Sequence, residues 1–392
     1  MTAARPPEAG RAAAGPADGG LSGAVAPQGR PAAETARTAP APFARAGAPA
    51  GWREDLFGGP WRGLLTLALL ALIGWAAAAA VDWGVVHAVF RRDPEACRAA
   101  QGACWGVVAE KWRAILFGRY PYADQWRPAV AASLLLAATL ASAWPRCWRP
   151  ALGAAWLAVL AACGVLMRGG VLGLEPVPTS RWGGLPLTVG LAVCSLALAF
   201  PLALLLALGR RSRWPAVRAL CATYVELVRG VPLISVLFMA SFLLPLLWPA
   251  GWRPDVLLRV MAGLTLFVAA YLAEIVRGGL QAVPRGQADA AVALGFGRWP
   301  VQRDIVLPQA LRLVVPALVN IVIGTLKDTS LVTVVGLFEL TGALGLALGG
   351  DPVWRPFYLE GYLFLAALYF VLCFGLSRYG RWLERRLARG RG

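Results

Sequence analysis

Long apolar runs recur along the chain and predict helices that cross a membrane. A helix needs about 20 predominantly apolar residues to span the roughly 30 Å hydrocarbon core of a bilayer. Eight such runs, the second and third of them short, lie at 63–81, 129–144, 150–167, 185–208, 230–249, 256–276, 313–336 and 358–377. The pattern predicts an all-α integral membrane protein with about eight transmembrane helices.

The polar content of these runs divides the chain into parts. The first three runs contain few polar residues, whereas the last five contain prolines, glycines and ionisable groups. We therefore expect a functional core at 180–380, and an added layer of three lipid-facing helices at 60–170 with an outer loop at about 84–128. Residues 1–55 are rich in Ala, Pro, Gly and Arg, which predicts a disordered tail. Residues 381–392 form a basic tail.

The basic residues indicate how the helices are oriented. The chain carries 38 basic and 21 acidic residues, and 58% of its residues are apolar. Arginines concentrate in alternate short loops, which predicts that both termini are cytoplasmic; the loop at 84–128, with seven basic residues, departs from this rule. Because the charges separate apolar runs, we expect contact with a lipid membrane and no nucleic acid. The arginine and alanine bias favours a bacterial source, and hence a bacterial inner membrane.

Composition also excludes several kinds of catalytic and metal site. Lys111 and Lys327 are the only lysines, and neither lies in a phosphate-binding P-loop, so a partner must hydrolyse ATP if ATP drives this protein. With His87 as the only histidine, we expect no His-rich metal site and assign no catalytic residue. Cys97 and Cys104 share one polar loop and either form a disulfide, if that loop faces an oxidising compartment, or remain free thiols.

The segment at 278–308 carries the most informative motif. A turn at Pro284 precedes a predicted short helix over 287–294, and a glycine is placed to end that helix. The motif consists of Asp289, Ala290, Ala291 and Gly295, followed after nine residues by Ile305, Val306, Leu307 and Pro308. The alternative interpretation is an ordinary alanine-rich surface helix.

This motif resembles the EAA motif of ABC importer permeases, where the loop forms a coupling helix that sits in a groove of the ATPase subunit. Small alanines allow close docking, and a carboxylate in the first turn of the helix can meet an arginine of the partner. Asp289 stands where that family usually has glutamate, which keeps the charge but shortens its reach.

The resemblance extends to the segments at 224–233, 273–284 and 326–331, which are similar to the polar amino-acid branch of HisM/HisQ-like permeases. The layout resembles that of the general L-amino-acid importers of the Aap type. It implies a five-helix type I permease core preceded by three extra helices, and import of polar or general L-amino acids. It also implies three partners: a P-loop ATPase that binds ATP and Mg, a second permease subunit (a paralogue or a second copy), and an extracytoplasmic amino-acid-binding protein. No cofactor is expected in this chain.

Ionisable groups inside the seventh run suggest a substrate path. Lys327 and Asp328 lie in the outer part of the bilayer core, where charges are costly and normally face a cavity or a partner. Asn320 lies about two turns earlier on the same face as Lys327. These residues either border the path of an amino-acid zwitterion or pair with a neighbouring helix or a second permease subunit.

Two copies of Glu-x-Val-Arg-Gly occur at predicted inner helix ends. The spacing allows Glu226 to meet Arg229, and Glu274 to meet Arg277, on one helix face. The pairs are either interfacial salt bridges that anchor helix depth or an inner gate that changes partners. A kink is expected at 230–232, where Gly-Val-Pro follows the first copy.

Two other functions compete with the importer. An ion-coupled secondary transporter would use Lys327, Asp328 and Glu274, but it predicts inverted repeats, of which the sequence shows only the short Glu-x-Val-Arg-Gly echo. A non-transporting scaffold would not need broken, charge-bearing helices.

Overall fold

The computed structural model describes residues 51, 56–142, 144–147, 149, 151–247, 249 and 254–389. The predicted tail at 1–55 therefore lies outside the described residues, except for the exposed residue 51. Most of the segment 381–392 belongs to a helix that continues to Arg389. The chain divides into two units, Met1–Ala76 and Ala77–Gly392.

Helices form nearly all regular structure in the described part, as the apolar runs predict. The helices that we number are α1 (Pro60–Val81), α2 (Pro94–Ala99), α3 (Gly106–Phe117), α4 (Trp126–Ser142), α5 (Ala151–Arg168), α6 (Gly184–Gly209), α7 (Pro215–Gly230), α8 (Leu233–Leu247), α9 (Val256–Ala282), α10 (Arg285–Ala293), α11 (Arg298–Val335), α12 (Leu340–Gly349) and α13 (Tyr358–Arg389). Within α11, residues Leu307–Asp328 are regular α-helix. The prediction of an all-α membrane protein is confirmed.

The count of eight transmembrane helices is not confirmed. Within the described residues six helices, α1, α5, α6, α9, α11 and α13, are long and apolar enough to cross a membrane, and α7 with α8 adds a seventh if that bent pair is one span. Helix α4 has 17 residues, or about 26 Å, and is shorter than the roughly 30 Å core. The predicted run at 230–249 is only half of a broken element, because α7 and α8 meet at an angle of 107°.

Helix α9 forms the centre of the unit Ala77–Gly392. It packs along α6 and α11 and also contacts α7 and α8. Its fully buried side chains include Val260 and Leu264, which share a cluster with Leu237 of α8. Near the end of α9, a Cβ on Gly279 would lie 2.8 Å from the carbonyl oxygen of Ala310, so α9 and α11 approach each other closely there.

The predicted outer loop at 84–128 is folded and packs against the last helices. Cys97 and Cys104 form a disulfide with a Cα–Cα distance of 5.3 Å, and both are buried. The Cys104 N–H donates to the buried carboxylate of Glu360 at 2.8 Å. Lys111 Nζ lies 2.6 Å from Asp351 Oδ2. The loop is thereby fixed to α12 and α13, and its shape depends on residues more than 200 positions away in the sequence.

Helices α4 and α5 bury one face against α6. Leu135, Cys163 and Met167 share an apolar cluster with Val189 of α6. Arg127 is fully buried, and its guanidinium donates to the carbonyl oxygens of Leu166 and Glu175. A cation at the C-terminus of α5 satisfies carbonyl groups that have no partner within the helix.

Candidate functional site

Helix α10 ends as the glycine predicts. Gly295 has φ of +86°, and its N–H donates to the carbonyl oxygen of Val292 at 2.9 Å. The Phe296 N–H donates to the carbonyl oxygen of Ala291 at 3.1 Å. These two bonds form a Schellman motif, which satisfies the last carbonyl groups of a helix and needs a residue that tolerates positive φ. The chain therefore turns sharply after α10.

The start of α10 differs from the prediction. The helix begins at Arg285, directly after Pro284, and not at Gln287. Asp289 consequently lies in the second turn, and the expectation of a carboxylate in the first turn is wrong. Its side chain is exposed, as is Ala290, whereas Ala291 is buried. The Asp289 carboxylate is therefore accessible to a partner, but it does not lie at the positive end of the helix dipole.

The rest of the motif lies in α11, one of the helices that are long and apolar enough to cross a membrane. Trp299 and Pro300 lie in the first turn of α11. Proline is tolerated there because the N–H that it lacks would have no partner within the helix. Ile305, Leu307 and Pro308 are half-buried within the same continuous helical segment. Ala291 of α10 packs with residues at the start of α11 and the end of α9, namely Val301, Val306, Ala310, Leu280 and Val283. The loop is thus a folded extension of α9 and α11.

An exposed apolar patch covers the outside of this loop. Its four members, which we call the loop patch, are Val292, Leu294, Phe296 and Trp299, with exposed fractions of 57, 78, 48 and 63%. Four large apolar side chains within eight residues, next to an exposed carboxylate, are typical of a surface that a protein partner covers.

Arg210 joins the two predicted Glu-Arg pairs. Its Nη2 lies 2.8 Å from Glu226 Oε1, and its Nη1 lies 2.8 Å from Glu274 Oε2. Glu274 also binds Arg277 as predicted, and Arg229 Nη1 approaches Glu274 Oε2 at 3.8 Å. We call these five residues the inner cluster. The expected contact between Glu226 and Arg229 is not formed, because Arg210 at the end of α6 occupies the space between α7 and α9.

Arg210, Glu274 and Arg277 of the inner cluster are half-buried, Glu226 and Arg229 are exposed, and the cluster lies next to the bend of the α7–α8 element. The Arg210 side chain is 14% exposed and that of Glu274 is 24% exposed. Helix α7 ends at Gly230, one residue after Arg229, and α8 starts at Leu233. The predicted kink at 230–232 is confirmed by the bend of 107°. Sequence reasoning missed Arg210, which it used only as one of several arginines that orient the chain.

The predicted substrate-path residues all lie in α11, with Lys327 and Asp328 near its end and Asn320 about two turns before them. Asn320 and Lys327 are exposed and Asp328 is half-buried. Within the part of the chain that the structure describes, neither Lys327 nor Asp328 forms an ion pair within 4 Å. In the same part, no group of three or more His, Cys, Asp or Glu side chains is arranged to hold a metal ion.

A buried carboxylate that sequence reasoning missed lies near this end. Glu339 is fully buried and caps α12, accepting from the N–H groups of Thr341 and Gly342. It also accepts from hydroxyl groups of α6, α11 and α13, which belong to Thr188, Thr333 and Tyr369. The available signal was an isolated acidic residue in an apolar stretch, which normally has partners.

Comparison with known proteins identifies the family. A family model for the inner membrane component of binding-protein-dependent transport systems matches residues 199–389. The inner membrane amino-acid ABC transporter permease protein YhdY of Escherichia coli K12 is 43% identical over an alignment of 346 residues, which covers 86% of this chain and 93% of that protein. The chain belongs to this permease family. The loop patch, the inner cluster and the substrate-path residues all lie within the matched segment.

Further relatives have similar descriptions. The glutamate/glutamine/aspartate/asparagine transport system permease protein BztC of Rhodobacter capsulatus is 36% identical and aligns with 89% of this chain and 96% of its own length. A crystal structure of an amino acid ABC transporter with histidines is 30% identical and covers 51% of this chain and 90% of its own, with a TM-score of 0.45. The family predicted from the motif is confirmed, and the secondary-transporter alternative has no support.

Proposed function

We propose that this chain is the membrane-spanning permease subunit of an ATP-binding-cassette importer that carries polar or general L-amino acids into the cytoplasm. The observation that carries the proposal is the folded loop around α10, with its exposed carboxylate and loop patch, inside the segment that matches the permease family. YhdY and BztC, which align over most of this chain, are named as amino-acid permeases. In this assignment both termini face the cytoplasm, as the arginine distribution indicates.

Helix α10 is proposed to be the coupling helix. The loop patch supplies apolar surface for a groove of a P-loop ATPase, and Asp289 supplies a charge for a basic group at its rim. ATP and Mg bind on that ATPase in this scheme. Because Ala291 packs against both α9 and α11, movement of α10 is transmitted to the two helices at the centre of the fold.

Two other partners complete the proposed assembly. A second permease subunit, either a paralogue or a second copy of this chain, would enclose the substrate path together with this chain. An extracytoplasmic amino-acid-binding protein would deliver substrate at the opposite face. The path would pass Asn320, Lys327 and Asp328, because an amino-acid zwitterion presents one carboxylate and one ammonium group to such side chains.

The inner cluster is proposed to act as the inner gate. Arg210 connects the end of α6 to both α7 and α9, so its ion pairs hold three helix ends together. In Arg210→Gln we expect a several-fold rise in ATP hydrolysis without substrate, because the ion pairs that hold the ends of α6, α7 and α9 together are weakened. Arg213→Gln, an exposed neighbour outside the cluster, is the control. Equal rates of ATP hydrolysis in the two variants would contradict the gate role and indicate that the cluster only anchors the helix ends.

The coupling assignment is tested on the assembled complex in vesicles. Asp289→Arg reverses the charge offered to the ATPase, and Gly295→Leu strains the positive-φ residue that ends α10. Both should reduce substrate-stimulated ATP hydrolysis at least about tenfold, because either change opposes docking. Glu110→Arg makes the same charge reversal in the outer loop and should leave substrate-stimulated ATP hydrolysis unchanged. Unchanged stimulation in both loop variants contradicts the assignment.

A further inference from the structure

An open cavity of about 590 Å³ lies between the inner ends of α6, α7 and α9, and most of the residues that line it are exposed. Four arginines line it, Arg210, Arg211, Arg218 and Arg277, together with Pro215 and Gln281. No acidic side chain is among its lining residues. Guanidinium groups from three different helices thus converge on one space.

The positive charge at this cavity is only partly compensated. Arg210 and Arg277 bind Glu274, and Arg210 also binds Glu226. Arg211 donates to the carbonyl oxygen of Leu280 at 3.3 Å, and neither it nor Arg218 has an ion-pair partner within 4 Å among residues that the structure describes. The two exposed guanidinium groups without a carboxylate partner leave an excess of positive charge at the rim, which attracts anions.

The backbone adds to this attraction. Helix α7 has 16 residues and starts at Pro215, in the wall of the cavity. Its N-cap residue, Trp214, makes no side-chain hydrogen bond to the first turn. The positive end of the helix dipole at Pro215 favours an anion at this position.

From this geometry we propose that the cavity binds a phosphate group, either the phosphodiester of an anionic lipid headgroup or a free phosphate ion. Arginine forks bind phosphate oxygens in a bidentate manner and from several directions at once. The volume is within the range of small-molecule sites and accommodates a phosphate with the atoms to which it is esterified. Basic pockets between membrane helices on the cytoplasmic side are suited to anionic headgroups.

The site shares two arginines with the inner cluster. A phosphate in the cavity would contact Arg210 and Arg277, which also hold Glu274. Arg211 and Arg218 lie at the rim and belong to neither the loop patch nor the inner cluster. Substitution of these two residues therefore tests the cavity without removing the ion pairs beside it.

The experiment measures lipid binding to the purified, delipidated full-length chain by native mass spectrometry in a neutral detergent. Dioleoyl-phosphatidylglycerol is titrated against dioleoyl-phosphatidylcholine, and inorganic phosphate is added as a competitor. The test variant is Arg211→Gln with Arg218→Gln. The control is Arg381→Gln with Arg385→Gln, which removes the same charge from exposed positions on α13.

We expect the first phosphatidylglycerol to bind at least about tenfold more tightly than phosphatidylcholine, and the test variant to lose that preference. The control should stay within about twofold of the unmodified chain. Retention of phosphatidylglycerol against excess inorganic phosphate identifies the lipid as the source of the phosphate group, and its displacement identifies the free ion. The proposal is overturned if both lipids bind equally and phosphate displaces neither of them. It is also overturned if the test and control variants lose the preference for phosphatidylglycerol to the same extent.

Discussion

Replacement of Glu339 by alanine removes a charged acceptor from the packed interior. The carboxylate accepts from the N–H groups of Thr341 at 2.8 Å and Gly342 at 3.1 Å. It also accepts from the Tyr369 hydroxyl at 3.0 Å and the Thr333 hydroxyl at 3.2 Å. Alanine would leave these donors without their acceptor in a space that is closed to solvent, since Glu339 is fully buried.

The cost of this substitution follows from the two kinds of donor. Loss of an N-cap acceptor costs about 0.5–2 kcal/mol. Each buried hydroxyl left without a partner adds about 1 kcal/mol or more. With the two hydroxyls of Tyr369 and Thr333, these amount to at least about 2.5–4 kcal/mol for Glu339→Ala. Glu339→Gln keeps one acceptor oxygen but turns an amide N–H₂ toward other donors, so its cost should be intermediate.

The assay compares two caps that differ in burial. Asp93 caps α2 and also accepts from two backbone N–H groups, Glu95 N–H and Ala96 N–H, but it is exposed. Asp93→Ala should therefore cost only about 1 kcal/mol. Thermal unfolding of the purified chain in detergent should show a much larger loss of stability for Glu339→Ala. Similar losses in the two variants would refute the claim that the buried hydroxyl contacts contribute.

Two further predictions concern the outer loop. The Lys111 ammonium lowers the pKa of the Asp351 carboxyl, so the pair stabilises the fold above the ordinary aspartate pKa of about 4, and this stabilisation is lost as the pH falls below it. Lys111→Met should flatten this acid dependence of thermal unfolding between about pH 5 and 2. An unchanged pH profile would contradict the prediction. Replacing Cys97 and Cys104 by serine removes the disulfide and should lower the free energy of unfolding by about 2–3 kcal/mol, the value for so short a loop. The loop should then be cleaved faster by a protease. Equal cleavage rates with and without the disulfide would show that packing alone holds the loop.

Local features of the site were predictable from the sequence. Gly295 ends α10 because the Schellman motif needs a residue with positive φ, and glycine after an alanine-rich stretch indicates this directly. The bend after α7 follows from Pro232, which has no N–H for a helical bond. Both effects depend on neighbouring residues only, so spacing along the chain was sufficient.

Contacts between distant segments were not predictable in this way. Arg210 meets Glu274 across 64 positions, and Glu339 meets Thr188 across 151 positions. The Glu-x-Val-Arg spacing correctly placed Glu274 beside Arg277, but it also suggested a contact of Glu226 with Arg229 that a residue from another helix replaces. Helical spacing shows which side chains share a face, but tertiary packing determines which charged residue forms an ion pair with them.

Helix α9 connects the two parts of the candidate site. Ala291 of α10 packs in one cluster with Val276, which lies two residues after Glu274 on α9. At Gly279 the backbone of α9 is so close to Ala310 of α11 that even a methyl group would collide. Because a close-packed interior does not absorb a displacement locally, any displacement of α10 would be passed on to α9 and α11. Such a movement would change the position of Glu274 relative to the arginines of α6 and α7, and this packing links α10 physically to the inner cluster.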